Sequence, residues 1–260
     1  MIEIYIINLE CSEARRKNAL FQADTMGLEI RIFKAIDGKR QDHPLFKNYD
    51  DNLRMRKKGK SMTPAQIGCF ASHYLLWETC AKRSEPVIIL EDDVDIFNDT
   101  FLKFYQSVRL LNKKYECVRL FDNKSKHHRA VAVERMNGLE IAKFTKGHMG
   151  TTGYYLNPNG AKKFIRGAKN WFLPVDIYMD RFWDHHVECY GTIPACLTND
   201  TKFHSTIASD RAKSEKRSLE VKVQREIFSA CEQIRRRIHN LKFQTSLFWG
   251  DLKNNFRSHQ

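Results

Sequence analysis

Apolar positions along the chain follow two periods. Short continuous runs at residues 2–9, 30–36, 87–90, 117–121, 139–144 and 152–156 have the length and composition of strands buried in a sheet. Helical spacing fills the segments between them. Ser12 stands where an N-cap belongs, with Glu13 in the first turn and Gly27 as a C′ stop. Thr63, Pro64 and Gln66 form a cap, a first-turn proline and the third-position partner of a capping box, ahead of an apolar face of Ile67, Phe70, Ala71, Tyr74, Leu75 and Ala81. Asp99 is the expected cap of a helix carrying Phe101, Leu102, Tyr105, Val108 and Leu111. Asn157 with Pro158 starts another, and Pro174 with Asp176 leads into one carrying Tyr178, Met179 and Phe182.

The opening strand, helix and strand predict an α/β fold. Residues 39–62 are polar and basic without convincing periodicity and read as a long mobile loop. Residues 122–138 read as a second loop, and loops of this kind carry binding residues. From about Leu219, Val223, Ile227, Ala230, Ile234, Ile238 and Leu241 mark one face of a long helix, ringed by arginines and lysines. Two roles fit that face: packing on the catalytic domain or a sister subunit, or lying on a membrane with Phe243, Leu247, Phe248 and Trp249 as an interfacial anchor. The expected division is a domain over 1–210 and a basic amphipathic tail over 211–260.

Charge sharpens the tail. The chain carries a formal net charge of +13 over 260 residues. Twelve Lys or Arg against five Asp or Glu fall within 211–260. A polyanionic partner follows, either nucleic acid or anionic lipid. No helix-turn-helix, zinc or aromatic RNA-binding motif accompanies the charge, so a nucleic-acid partner is not expected. Seven cysteines without a CxxC pair read as reduced thiols, and the chain opens on strand residues without a charged leader. No apolar run approaches 18 residues, so a cytoplasmic protein, soluble or peripheral on a membrane, is expected.

The richest chemistry lies where Val87, Ile88, Ile89 and Leu90 run into Glu91, Asp92 and Asp93. Ligands of open α/β sheets sit at the carboxyl ends of the strands. An extended backbone would place Glu91 and Asp93 on one face and Asp92 on the other. Three adjacent carboxylates at a buried strand's end suit a Mg²⁺ or Mn²⁺ ion carrying substrate phosphates. Two carboxylates would also serve a glycoside hydrolase, which needs neither the ion nor a nucleotide site. Gly150 to Gly153 would admit a sugar close to backbone, or form a turn.

Several segments together resemble glycosyltransferase family 25. They are Tyr5-Ile6-Ile7-Asn8-Leu9 with Arg15-Arg16, Phe33-Lys34-Ala35-Ile36-Asp37-Gly38, Thr63-Pro64-Ala65-Gln66-Ile67-Gly68-Cys69 with Ser72-His73, Ile89-Leu90-Glu91-Asp92-Asp93-Val94, and Gly150-Thr151-Thr152-Gly153-Tyr154 with Gly160-Ala161-Lys162-Lys163. They run in family order over residues 2 to about 205. The resemblance implies a GT-A type, Rossmann-like, mostly parallel sheet flanked by helices, here with a C-terminal basic helical extension. It implies a UDP-sugar donor, galactose or else glucose, inversion at the anomeric carbon, and a lipooligosaccharide or lipopolysaccharide acceptor at the inner membrane, with a homodimer possible. On the same ground Asn8, Leu9, Arg15, Arg16, Asp37 and Gly38 look like the nucleotide corner. Glu91 and Asp92 would meet ribose or sugar with His73, Gly150, Thr151, Thr152 and Gly153. Asp93 and His204 are the metal ligands it suggests. Inversion needs a carboxylate base, for which Asp176 comes first and Asp180 second.

Overall fold

A computed structural model describes residues 2–40, 42–111, 114–199 and 218–257, with side chains through residue 247. Its centre is an eight-stranded sheet in the order β2-β1-β3-β8-β5-β9-β7-β6. The strands are β1 (Glu3–Asn8), β2 (Ile30–Lys34), β3 (Val87–Glu91), β5 (Cys117–Arg119), β6 (Ala130–Met136), β7 (Leu139–Phe144), β8 (Gly153–Leu156) and β9 (Tyr190–Ile193). β1 pairs in parallel with β2 and β3, and β5 with β9. β8 runs against β3 and β5, and β7 against β9 and β6. Six strands therefore share one direction, and β7 and β8 oppose it. Beside this sheet, β4 (Val94–Ile96) pairs antiparallel with β10 (Leu197–Asn199).

β3 is buried on both faces, as its continuous apolar run requires. Ile88 and Leu90 point to one core with Ile4 and Ile6 and with Phe101, Phe104 and Val108 of helix α4 (Asn98–Leu111). Val87 and Ile89 point to the other core, against Phe70, Ala71 and Trp77 of α3 (Pro64–Ala81) and Ala161 and Phe164 of α5 (Pro158–Gly167).

Local signals set the helix starts. Thr63 and Gln66 close a reciprocal capping box on α3, Gln66 N donating to Thr63 Oγ1 at 3.2 Å and Thr63 N to Gln66 Oε1 at 3.0 Å. Asn157 caps α5 through Gly160 N at 2.8 Å. Gly27 ends α1 (Glu13–Thr25) at φ +65°, the left-handed conformation a C′ glycine provides. Two expected caps are corrected. Ser12 occupies the N-cap of α1 without a side-chain capping bond, and Asp99 falls inside the first turn of α4.

The segment over 39–62 is not an irregular loop. It holds a 3₁₀ turn (Pro44–Asn48) and helix α2 (Asp51–Lys58), capped by Asp50 through Leu53 N at 2.8 Å and closed by Gly59 at φ +66°. Its pattern looked structureless because what anchors it is charged: Arg54 is buried and donates from Nε to Lys60 O at 2.9 Å and from Nη1 to Phe172 O at 3.3 Å. Likewise β6 takes seven residues of the segment over 122–138, paired with β7 across a bulge at Ala132 and Glu134. The helix expected from Pro174 to Phe182 is broken into α6 (Val175–Met179) and α7 (Phe182–His185).

Helix α8 (Leu219–Arg257) packs against α2 and α7. Its docking face is not the apolar one. Phe228 meets Phe172 and lies under Lys58, Glu232 is held in a fork by Arg181 at 2.5 and 3.1 Å, His239 bonds Glu188, and Phe243 lies near Tyr190. Phe243 therefore serves the domain rather than a membrane anchor, and Phe248 and Trp249 lie outside the described side chains. Among the described residues no helix is long and apolar enough to cross a membrane.

Candidate functional site

The carboxyl ends of β1, β2 and β3 open into a cavity of about 640 Å³. Leu9, Asp37 and Gly38 line it from just beyond the first two strands, Arg15 from α1, and Gln66, Cys69, Ser72 and His73 from α3. Glu91, Asp92 and Asp93 form its floor. Gly150, Thr151 and Thr152, then Asp176 and Ile177, close the far side with Lys124 and Asn199.

Gly38 and Gly68 explain how α3 comes so close. A Cβ on Gly38 would stand 1.9 Å from Pro64 O, and one on Gly68 would stand 2.4 Å from Ile36 O. Only glycine at both positions lets the end of the second strand rest on the first turns of α3. Ser72 completes the junction, accepting from Ile36 N at 2.8 Å and donating to Gly68 O at 2.8 Å.

The three carboxylates take different partners. The backbone turns immediately after Glu91, so the expected strand alternation does not extend through Asp93. Asp92 is buried and faces the start of α1, accepting from Asn8 Nδ2 at 2.7 Å and pairing with Arg15 at 3.0 Å. Burial still pushes its value up, against the pull of Arg15 and Asn8. Glu91 accepts from Thr151 Oγ1 and lies 3.6 Å from His73 Nε2. Burial raises Glu91, but His73 and Thr151 outweigh it and the net direction is down. Asp93 is pushed up to about 6 by burial and by the charge of Glu91, with Asn199 Nδ2 at 3.5 Å.

A buried chain stands behind Glu91. Trp77 Nε1 donates to Tyr154 Oη at 2.9 Å, and Tyr154 Oη lies 2.9 Å from His73 Nδ1. Indole can only donate, so Tyr154 Oη accepts from it and holds the His73 ring through Nδ1. His73 Nε2 faces Glu91 without a hydrogen-bond partner among the described residues. Cys69, His73 and Glu91 offer ligand atoms within 4.8 Å of one another, a mixed sulfur, nitrogen and oxygen set.

Asp176 lines the cavity from the first turn of α6, and burial, with Glu91 nearby, raises its value. Asp180 does not line it. It accepts from Arg119 Nη2 at 3.2 Å, His148 N at 3.1 Å and Met149 N at 2.9 Å, fixing the turn before Gly150. Burial nevertheless lifts it to about 6. Asn8 acts on the cavity through Asp92, while Arg16 and Gly153 lie off its wall, Gly153 giving way to Leu90 and Leu197. His204 lies outside the described residues. Lys124 and Asn199 went unforeseen: Lys124 Nζ donates to Asn199 Oδ1, which also accepts from Thr152 Oγ1 at 2.9 Å. Neither stands in a patterned segment, and only the fold brings them together.

The family model described as glycosyltransferase family 25 (LPS biosynthesis protein) matches residues 1–179, more than two thirds of the chain. The chain belongs to this family. The matched span holds Asn8, Arg15, Asp37 and Gly38, the acidic triplet and Asp176. A glycosyltransferase 25 family member of Anopheles gambiae is 31% identical over 191 residues, covering 70% of this chain and 32% of the relative. A probable inactive glycosyltransferase 25 family member 3 of Rattus norvegicus is 28% identical over 194 residues, covering 71% and 33%. Procollagen galactosyltransferase 2 of Homo sapiens is 26% identical over 195 residues, covering 71% and 30%. The chain spans about a third of the length of these family 25 relatives.

Proposed function

We propose that this family 25 chain is an active, inverting, metal-assisted galactosyltransferase that uses UDP-galactose, with UDP-glucose the second donor to test. The observation that carries the reading is the junction of Asp92 with Asn8 and Arg15 beside Asp93, which is met by Asn199 Nδ2 at 3.5 Å, in one cleft. A nucleotide corner and a cation-seeking carboxylate thus share a wall. The galactosyl donor is supported by the human relative's name and the acceptor class by the family description. The proposed acceptor is a terminal sugar of a lipooligosaccharide or lipopolysaccharide core, which would bring the enzyme to the cytoplasmic face of the inner membrane.

The donor set fits a hard divalent cation. Asp93 and Glu91 are oxygen ligands crowded in one buried wall, and the raised value of Asp93 reports charge that a cation would relieve. Asp93 would hold Mn²⁺ or Mg²⁺ beside Glu91, and the bound ion would neutralise charge on the departing diphosphate. Thr151 holds Glu91 by a hydrogen bond and His73 faces it at 3.6 Å, while Lys124 adds positive charge to the cleft. Asp176 takes the acceptor hydroxyl's proton onto its carboxylate, and its raised value makes it a stronger base.

Donor turnover tests the reading. Purified protein should release UDP from UDP-galactose in the presence of a lipooligosaccharide acceptor, and Asp93→Ala should abolish release. Asp176→Asn should lower turnover at least a hundredfold with donor binding retained. Full turnover in Asp93→Ala would remove Asp93 from the site, and sugar release undiminished by chelator would favour a hydrolase.

A further inference from the structure

The face of α8 opposite its docking side is apolar and uncovered among the described residues. Leu219, Val223, Ile227, Ile234, Ile238 and Leu241 are each between 48% and 78% exposed. With exposed Ala230 between Ile227 and Ile234, their spacing of three and four residues makes a continuous stripe, while Phe228, Glu232, His239 and Phe243 hold the other side to the domain. A helix whose packing face and apolar face are different has room for a second partner.

We propose that the partner is a second copy of this chain, with two α8 helices pairing antiparallel about a two-fold axis near Cys231. Charge and position both select this arrangement. Glu220 lies eleven residues before Cys231 and Lys242 eleven after it; Glu226 lies five before and Arg237 six after. Within each pair the acid and the base lie on the same flank of the stripe, because eleven residues make three helical turns. Antiparallel pairing brings residues of one flank together across the interface, so the acidic first half of each stripe meets the basic second half of the other. The apolar residues obey the same centre: Ile227 and Ile234 lie four before and three after Cys231, and Val223 and Ile238 eight before and seven after. Among the described residues Glu226 is engaged by neighbouring Arg225 at 2.7 Å, an exposed contact that can exchange at little cost.

A two-fold interface is self-complementary in this way: residue i meets j and j meets i. A parallel pair would instead put acids beside acids. An anionic lipid surface would meet Glu220 and Glu226 on the stripe's own borders, which weighs against it as the occupant. The docking side keeps each catalytic domain on the outer side of the helix pair, so the two domains do not compete for the stripe.

Light scattering during size exclusion of the full chain is expected to give a dimer. Ile227→Glu with Ile234→Glu should give a monomer with the wild-type circular dichroism spectrum and unchanged turnover. E226R should raise the dimer's dissociation constant at least tenfold, and adding R237E should restore it. In a Cys11→Ser background, a short bis-maleimide should join two chains through Cys231, which is exposed, and Cys231→Ser should abolish the product. A monomer at all concentrations overturns the proposal, including one whose stripe instead carries it onto phosphatidylglycerol vesicles. A dimer that E226R leaves intact overturns the antiparallel register.

Discussion

Asn8, at the end of the first strand, donates to Asp92 Oδ2 at 2.7 Å across 84 residues of sequence, and the same amide also reaches Ser12 O at 3.1 Å. One side chain therefore ties the carboxyl end of β1 to the acidic turn and to the start of α1. Asn8→Ala leaves a buried carboxylate short of a donor and should lower unfolding free energy by about 1–3 kcal/mol. Asn8→Asp sets two carboxylates together and should cost more. Urea denaturation of the three proteins checks the order; equal stability of Asn8→Ala and wild type would show that the bond contributes nothing.

Gly68→Ala should destabilise the chain, because the new methyl meets Ile36 O at 2.4 Å and Gly38 N at 2.6 Å, both backbone atoms. The expected cost is about 1–3 kcal/mol from overpacking, with weaker donor binding since Gly38 lines the cleft. Thermal unfolding and calorimetry report the two effects, and an unchanged midpoint would contradict this account of the α3 approach.

Much of the donor side was legible in the sequence because it is built from local signals. The capping box at Thr63, the cap at Asn157 and the apolar run ending at Glu91 each state their structure within a few residues. What escaped was assembled at long range. Arg54 hides α2 because a buried arginine satisfied by backbone carbonyls looks like a solvated one in sequence. Lys124 and Asn199 meet only after β10 returns beside β4. The docking face of α8 escaped because hydrophobicity favours the stripe through Ile227 and Ile234, whereas the domain is met by an ion pair at Glu232 and two aromatic rings. Asp180, one turn beyond Asp176, shows that spacing cannot separate a cleft carboxylate from one buried against Arg119.

Tyr154→Phe should strip His73 Nδ1 and Trp77 Nε1 of their shared partner. Stability should fall by about 1–3 kcal/mol, and turnover should fall beyond the loss of folded protein because His73, which faces Glu91 at 3.6 Å, loses its anchor. Full turnover per folded molecule would break the proposed link between this chain and the site.

Acid sensitivity should depend on His185. The ring is buried, its Nδ1 accepting from Val187 N at 3.1 Å while Met179 O lies 3.2 Å from Nε2, and burial lowers its value from 6.5 to about 3. The unfolded chain thus takes up a proton that the native chain refuses. The stabilising contribution is full above pH 6.5 and is lost as pH falls toward 3, at about 1.4 kcal/mol per pH unit. His185→Gln should flatten the decline by one proton in urea titrations between pH 6.5 and 4. A variant as steeply acid-sensitive as wild type would contradict this assignment.

The central claim is a cation-dependent nucleotide-sugar site built on Asp93, and titration calorimetry with UDP-galactose reaches it most directly. The account predicts saturable one-site binding with Mn²⁺ present, loss of that binding in chelator and in Asp93→Ala, and weaker binding of UDP-glucose. Binding that is equally tight in chelator, or absent from folded wild-type protein under both conditions, would contradict it.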